Sequence, residues 1–221
     1  MSIHRSLRLA MLAVLLCSAG CGGGGGGSEP AWPRAWSHQD VGAGMPAGAA
    51  TFAGGTFTVA GAGEWVWPFE ADQMHYVYTQ ATGDFRLTVR VVTMEGVDTS
   101  SMAGLMARSS LEAGSPTFHY SLMPPQTSTM TGTGCVRQTA DTAAQCGAEV
   151  CSVGLPVYLR IARDGDTFTA AYSSDGATWT PSTYTQTLSL PESVHVGFFV
   201  QSYLADVLET VTFDHVELTT E

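Results

Sequence analysis

Lysine is missing from this 221-residue chain, and arginine is scarce. Nine arginines make up the whole basic complement, and two of them, Arg5 and Arg8, lie near the start. Beyond Cys21, seven arginines stand against twenty acids, a net of −13. Such a surface repels nucleic acid and anionic lipid, and no basic stripe interrupts it. Helical periodicity is lacking too: no segment of ten or more residues repeats its apolar side chains at helical spacing. No internal repeat is visible. The chain contains no Gly-x-Ser-x-Gly, no phosphate loop and no His-Glu-x-x-His, so it carries no signal for a hydrolase triad, a nucleotide or a catalytic zinc. No cofactor and no metal are expected. The run Leu7–Leu16 falls far short of the ~20 apolar residues that span a bilayer. What remains is 44 % hydrophobic and 13 % charged with 25 glycines, a globular, turn-rich composition.

The first residues read as an export leader. Arg5 and Arg8 supply the charged start and Leu7–Leu16 the apolar run, so Met1–Gly20 is expected to be a signal peptide. Ser18-Ala19-Gly20-Cys21 resembles the lipobox of bacterial lipoproteins, with Ser18 where leucine is usual and Cys21 as the lipidated residue. Gly22–Gly27 and Ser28-Glu29-Pro30 form a flexible tether. Residues 21–39 are therefore assigned to the lipidated cysteine, tether and a loop, and 40–219 to one folded domain. Gly22 after the cysteine resembles an outer-membrane address. The expected location is the cell envelope, as an outer-membrane lipoprotein that touches the membrane through its lipid only; an ordinary secreted protein is the alternative. Export implies an oxidising compartment for Cys135, Cys146 and Cys151. A turn centred at Ala140-Asp141 puts Cys135 opposite Cys146, which favours that disulfide over Cys135–Cys151.

The body of the chain reads as β-strands. In Val157–Trp179, Asp164-Gly165 and Asp175-Gly176 mark tight turns. Counting outward from the first, Ile161 faces Phe168, Leu159 faces Ala170 and Val157 faces Tyr172, all on one apolar face; from the second, Trp179 faces Tyr172. Met74–Tyr78 and Phe85–Thr93 read as a second hairpin, with Met74, Tyr76, Tyr78, Phe85, Leu87 and Val89 inward. Ala49–Phe52 and Thr56–Ala60 make a third around Gly54-Gly55, while Pro68 demotes Glu64–Ala71 to an edge or loop. Strands are also expected at Ala103–Ser109, through Phe118, Tyr120 and Leu122, at Val194–Ser202 and at Leu208–Leu218. About twelve short strands separated by turn residues predict an all-β sandwich or barrel.

Several of these segments together resemble one family: Gly54-Gly55-Thr56-Phe57-Thr58-Val59, Asp72 through Tyr78, Ala103-Gly104-Leu105-Met106-Ala107-Arg108, Tyr172 through Trp179, and Thr212-Phe213-Asp214-His215-Val216. The set is similar to concanavalin-A-like lectin/glucanase sandwiches of the regulation-of-enolase-like, domain-of-unknown-function type. The resemblance spans roughly Asp40–Leu218 and implies a jelly roll of two curved antiparallel sheets, of the sort appended to bacterial surface and carbohydrate-active proteins. Retaining glucanases of this fold need two carboxylates about 5–5.5 Å apart. Only Glu70 and Asp72 share a face here, so catalysis is not expected. Asp164, Asp166 and Asp175 are explained by turns, without calcium.

The alternation that sends Met74, Tyr76 and Tyr78 inward leaves His75 pointing out, and Arg108 points out of its own strand. Trp67 and Asp72 precede His75 closely. An aromatic platform beside a carboxylate and an arginine offers stacking and charge-assisted hydrogen bonds to sugar hydroxyls. The expectation is a carbohydrate-binding face of Trp67, Asp72, His75 and Arg108 on a non-catalytic lipoprotein, with a glycan as partner. The alternatives are a structural or protein-interaction module without a small ligand, and a glycosidase.

Overall fold

The computed structural model describes residues 32–64, 70–124 and 129–220. The signal segment, Cys21, the glycine tether and Trp67 lie outside the described residues. Among those described there is no helix. In chain order the strands are β1 (Ser37–Val41), β2 (Ala49–Ala53), β3 (Thr56–Gly61), β4 (Met74–Thr82), β5 (Phe85–Met94), β6 (Met102–Arg108), β7 (Thr117–Met123) and β8 (Met130–Arg137). They continue with β9 (Gln145–Cys151), β10 (Val157–Asp164), β11 (Thr167–Ser173), β12 (Thr180–Pro181), β13 (Gln186–Thr187), β14 (Ser193–Gln201) and β15 (Glu209–Thr220). One seven-stranded sheet runs β1-β4-β14-β6-β7-β8-β9, and one eight-stranded sheet runs β12-β11-β10-β5-β15-β3-β2 with β13 beside β11. Every pairing is antiparallel. The jelly-roll sandwich expected from the sequence is the architecture found.

The main core lies between the sheets. From the eight-stranded side it receives Phe85, Leu87, Val89, Val157, Leu159, Ile161, Phe168 and Phe213; from the other side come Val77, Leu105, Phe118, Tyr120 and Phe198. Each buried aliphatic or aromatic side chain contributes roughly 1.5–3 kcal/mol, which sets the face of every strand that carries a row of them. The domain edge expected at Asp40 falls inside β1, and Trp32 and Trp36 already pack on this core.

Three local expectations are corrected. The β10–β11 loop is Gly165-Asp166, so Leu159 pairs with Tyr172 and Ile161 with Ala170. A loop that puts its glycine first needs positive φ only there, and Gly165 has φ +57°. The partner of each residue moves by two, which preserves the face. Trp179 does change face, because Thr180 rather than Trp179 stands opposite Tyr172. Asp175 Oδ1 accepts the N–H of Ala177 and of Thr178, which lengthens that turn beyond two residues. Trp179 lies instead beneath Arg160, whose guanidinium carbon sits 3.6 Å from the ring centre.

The third correction matters most. β4 and β5 are not a hairpin; they belong to different sheets. Gly83, at φ +74°, carries the chain across, and its N–H is held by the Glu192 carbonyl at 3.0 Å. Val77 and Ala81 therefore face the inter-sheet core, while Met74, Tyr76 and Tyr78 stand on the outer face of the seven-stranded sheet.

Candidate functional site

That outer face carries its own apolar layer. Val41, Met74, Tyr76, Met102, Met106 and Phe199 form a buried cluster, with Tyr78, Met123, Leu111 and Ala113 packed against it. The last two come from the β6–β7 connection, which lies over the sheet. A loop laid on an apolar layer must satisfy its carbonyls without water. Two arginines do so here. Arg108 Nε donates to the Ser110 carbonyl at 2.7 Å and its Nη2 donates to that of Glu112. Arg137 Nη1 reaches the Ser115 carbonyl at 3.1 Å and its Nε that of Thr142 at 2.9 Å. Asp72 pairs with both: Oδ1 is 2.7 Å from Arg137 Nη2 and Oδ2 is 3.2 Å from Arg108 Nη1. Its own N–H donates to the Ala113 carbonyl at 3.0 Å. Burial lowers the Arg108 pKa against the opposing pull of Asp72.

The expected binding face is therefore not an outward one. Asp72, His75 and Arg108 are 1 %, 2 % and 0 % exposed. Asp72 and Arg108 are brought together, but His75 stands on the opposite side of β4, looking toward the other sheet. There His75 Nδ1 lies 2.6 Å from Asp40 Oδ1 and its Nε2 lies 3.0 Å from His38 Nδ1. The alternation argument failed because the sheet has side chains buried on both faces, so "opposite to apolar" does not mean "toward water".

Beside Arg108 the outer face opens. Register places His195 between Gln80 on β4 and Arg108 on β6. A pocket of about 370 Å3 is lined there by Ala35, Ser37, Tyr78, Thr79, Gln80 and His195. Its floor is rigid. Tyr78 stacks on Tyr76 with ring centres 5.4 Å apart, and Tyr76 Oη donates to the Met106 carbonyl at 2.9 Å. His195 meets the Tyr78 ring edge-on at 5.4 Å. Its Nδ1 is buried with no hydrogen-bond partner among the described residues. Burial, then the charge of Arg108, lowers the His195 pKa, so the imidazole is neutral at pH 7. The pocket thus offers an aromatic face, an amide, a hydroxyl and a neutral imidazole, with no carboxylate among its lining residues. Sequence reasoning missed Tyr78 by counting it inward, and missed Gln80 and His195 because their strands meet only through the β14–β4 pairing.

His119 is the other unusual group on this face. It is fully buried between Met106 and Cys135 in register, edge-on to Phe199, and neither ring nitrogen has a hydrogen-bond partner among the described residues. Burial, and then the charges of Arg137 and Arg108, lower its pKa from 6.5 to about 3. The unfolded imidazole takes up a proton as pH falls below 6.5, while the folded one stays neutral until about 3, so stability is lost on acidification through that window. Between pH 7 and 5 this group should remove ~2 kcal/mol. Urea unfolding at the two pH values should show that fall in the wild type and a shallower one in His119→Leu; equal slopes would dismiss the assignment.

Two packed antiparallel sheets in this strand order define a concanavalin-A-like sandwich, a fold seen in lectins and in part of the chain of a GH43 protein. Within that fold the chain belongs to the DUF1349 family, described as proteins of unknown function, which it matches over residues 56–221. No curated protein sequence matches the chain. Among solved structures, a functionally unknown protein from Saccharomyces cerevisiae superposes with TM-score 0.69 at 15 % identity, over 85 % of this chain and 97 % of that one. The lectin UEA-II complexed with galactose gives TM-score 0.52 at 12 % identity, over 84 % and 92 %. The GH43 protein BlXynB of Bacillus licheniformis gives 0.58 at 12 % identity, over 76 % of this chain but 33 % of that one. At these identities the likeness is one of fold.

Proposed function

We propose that this protein is a non-catalytic cell-envelope lipoprotein whose sandwich binds an uncharged sugar in the pocket between Tyr78 and His195. The observation that carries the reading is the chemistry of that pocket. Tyr78 presents a ring held flat by Tyr76, and Ser37, Gln80 and His195 surround it with neutral donors and acceptors. Sugar hydroxyls ask for that combination: a stacking face and hydrogen bonds without a net charge to desolvate. The lining holds no pair of carboxylates at glycosidase spacing, which favours binding over hydrolysis. Asp72 and Arg108 act one layer below, by fixing the loop and the strand next to His195. Export and lipidation at Cys21, with residence in the outer membrane, are supported by the order of charged start, apolar run, small residues, cysteine and glycine tether, and by the Cys135–Cys146 disulfide.

A glycan array probed with wild type and Tyr78→Ala tests the proposal. The wild type should mark a small set of neutral glycans, and the variant should bind them about tenfold more weakly, the loss expected of one stacking aromatic. Blank arrays for the wild type, or equal signals for both proteins, would sink it.

A further inference from the structure

The eight-stranded sheet has a polar outer face that the sugar reading does not use. Arginine is rare in this acidic protein, and most of it is engaged. Arg108 and Arg137 hold Asp72. Arg90 makes a two-point pair with Asp214 at 2.7 and 2.6 Å. Arg163 is folded onto the carbonyls of Gly165, Leu190 and Pro191. Arg34, before β1, and Arg86 and Arg160 are left, and the last two stand together. The β10–β5 and β5–β15 registers put Ala162, Arg86 and Thr219 in one row across the sheet, and Arg160, Thr88 and Glu217 in the next.

Arg86, Thr88, Arg160, Glu217 and Thr219 line a pocket of about 130 Å3. Arg160 is fixed in place: its guanidinium lies on the Trp179 ring and its Nε donates to Thr88 Oγ1 at 3.1 Å. Neither of its terminal nitrogens has a hydrogen-bond partner among the described residues, and the Arg86 side chain makes no ion pair there. Two like charges facing one pocket repel, and the repulsion shows in the lowered pKa of Arg160, caused by burial first and Arg86 second. Glu217 offsets only one of the two charges. A planar guanidinium already held by stacking loses little freedom when it forks onto an oxyanion.

We propose that Arg86 and Arg160 form a binding site for an oxyanion carried on a small ligand: the carboxylate of an acidic sugar, or a sulfate or phosphate ester. The Thr88 and Thr219 hydroxyls line the same pocket and Trp179 sets the angle of one fork. The site is on the opposite sheet from Tyr78, so neither proposal depends on the other.

Calorimetric titration at low salt with glucuronate, glucose 6-sulfate, glucose 6-phosphate and glucose tests it, because the four share a ring and differ in the anion. At least one anionic sugar should bind roughly tenfold or more tightly than glucose, and the tightest identifies which oxyanion the site takes. Arg86→Gln, a substitution at an exposed side chain without hydrogen-bond partners, should abolish that preference while leaving the unfolding midpoint in place. Glu217→Gln should tighten binding about two- to threefold by removing a like charge. No preference over glucose, an unchanged preference in Arg86→Gln, or weaker binding in Glu217→Gln would each overturn the assignment.

Discussion

Replacing Asp72 by alanine should destabilise the fold by about 3–5 kcal/mol, the usual cost of leaving buried charges without their partner. Both arginines it serves are fully buried. Without the carboxylate, two guanidinium groups would face each other in a site that excludes water. They cannot simply withdraw, because between them they hold the carbonyls of Ser110, Glu112, Ser115 and Thr142. Asp72→Asn keeps the shape and should still lose most of the stability, since charge rather than volume is what the site lacks. Asp214→Ala is the internal contrast. It removes an equally well-formed pair, but a partly solvated one, and should cost less than ~1 kcal/mol. Urea unfolding of the variants decides: a loss under ~1 kcal/mol for Asp72→Ala would mean that the β6–β7 loop does not rely on this cluster. Glycan binding should weaken with it, because Arg108 is the register neighbour of His195 at the proposed sugar pocket.

How much of this was legible beforehand varies with how local the cause is. The Cys135–Cys146 pairing was readable because the tip between them is short and carries Asp141, which takes φ +56°. The apolar face of β10 and β11 was readable even though the register was not: a shift of two leaves parity unchanged, so Leu159, Ile161 and Phe168 are inside either way. Trp179 shows the limit, since one residue more in the Asp175 turn sends it to the other face. The tyrosines of β4 show a deeper limit. Met74, Tyr76 and Tyr78 alternate as a core strand does, and they are covered, but by a second layer on the far side of the sheet. Nothing local distinguishes a hairpin from a crossing between sheets when both join two apolar strands across a glycine. Asp72 and Arg108 were assigned to one outward sugar-binding face with Trp67 and His75, not to each other. Their burial was not legible, because Arg137, the third member of their cluster, lies 65 residues from Asp72 in sequence. Tyr78 and His195 meet only because β14 inserts between β4 and β6.

Opening the Cys135–Cys146 disulfide should cost ~2–3 kcal/mol and should loosen one strand before the rest. The bond closes a loop of sequence separation 11, and a cross-link of that span restricts the unfolded chain by about that amount. Its place decides which part responds. β9 ends the seven-stranded sheet and is paired on one side only, to β8. Apart from that ladder and the disulfide, it is held by Tyr184, whose Oη donates to the Gln145 carbonyl, and by Glu149, which accepts from Tyr120 Oη at 2.6 Å and from the Thr183 hydroxyl at 2.8 Å. Val150 on this strand is 69 % exposed, so burial adds little there. In Cys135→Ala/Cys146→Ala, hydrogen exchange should accelerate first in residues 145–151 and the preceding turn, while β10 and β5, central to the other sheet, keep their protection. Cys151 should remain unreactive in the native state, since burial raises its thiol pKa and its sulfur lies 3.3 Å from Tyr120 Oη. Uniform acceleration across both sheets would show instead that the cross-link stabilises the sandwich as one unit and that β9 is no weaker than its neighbours.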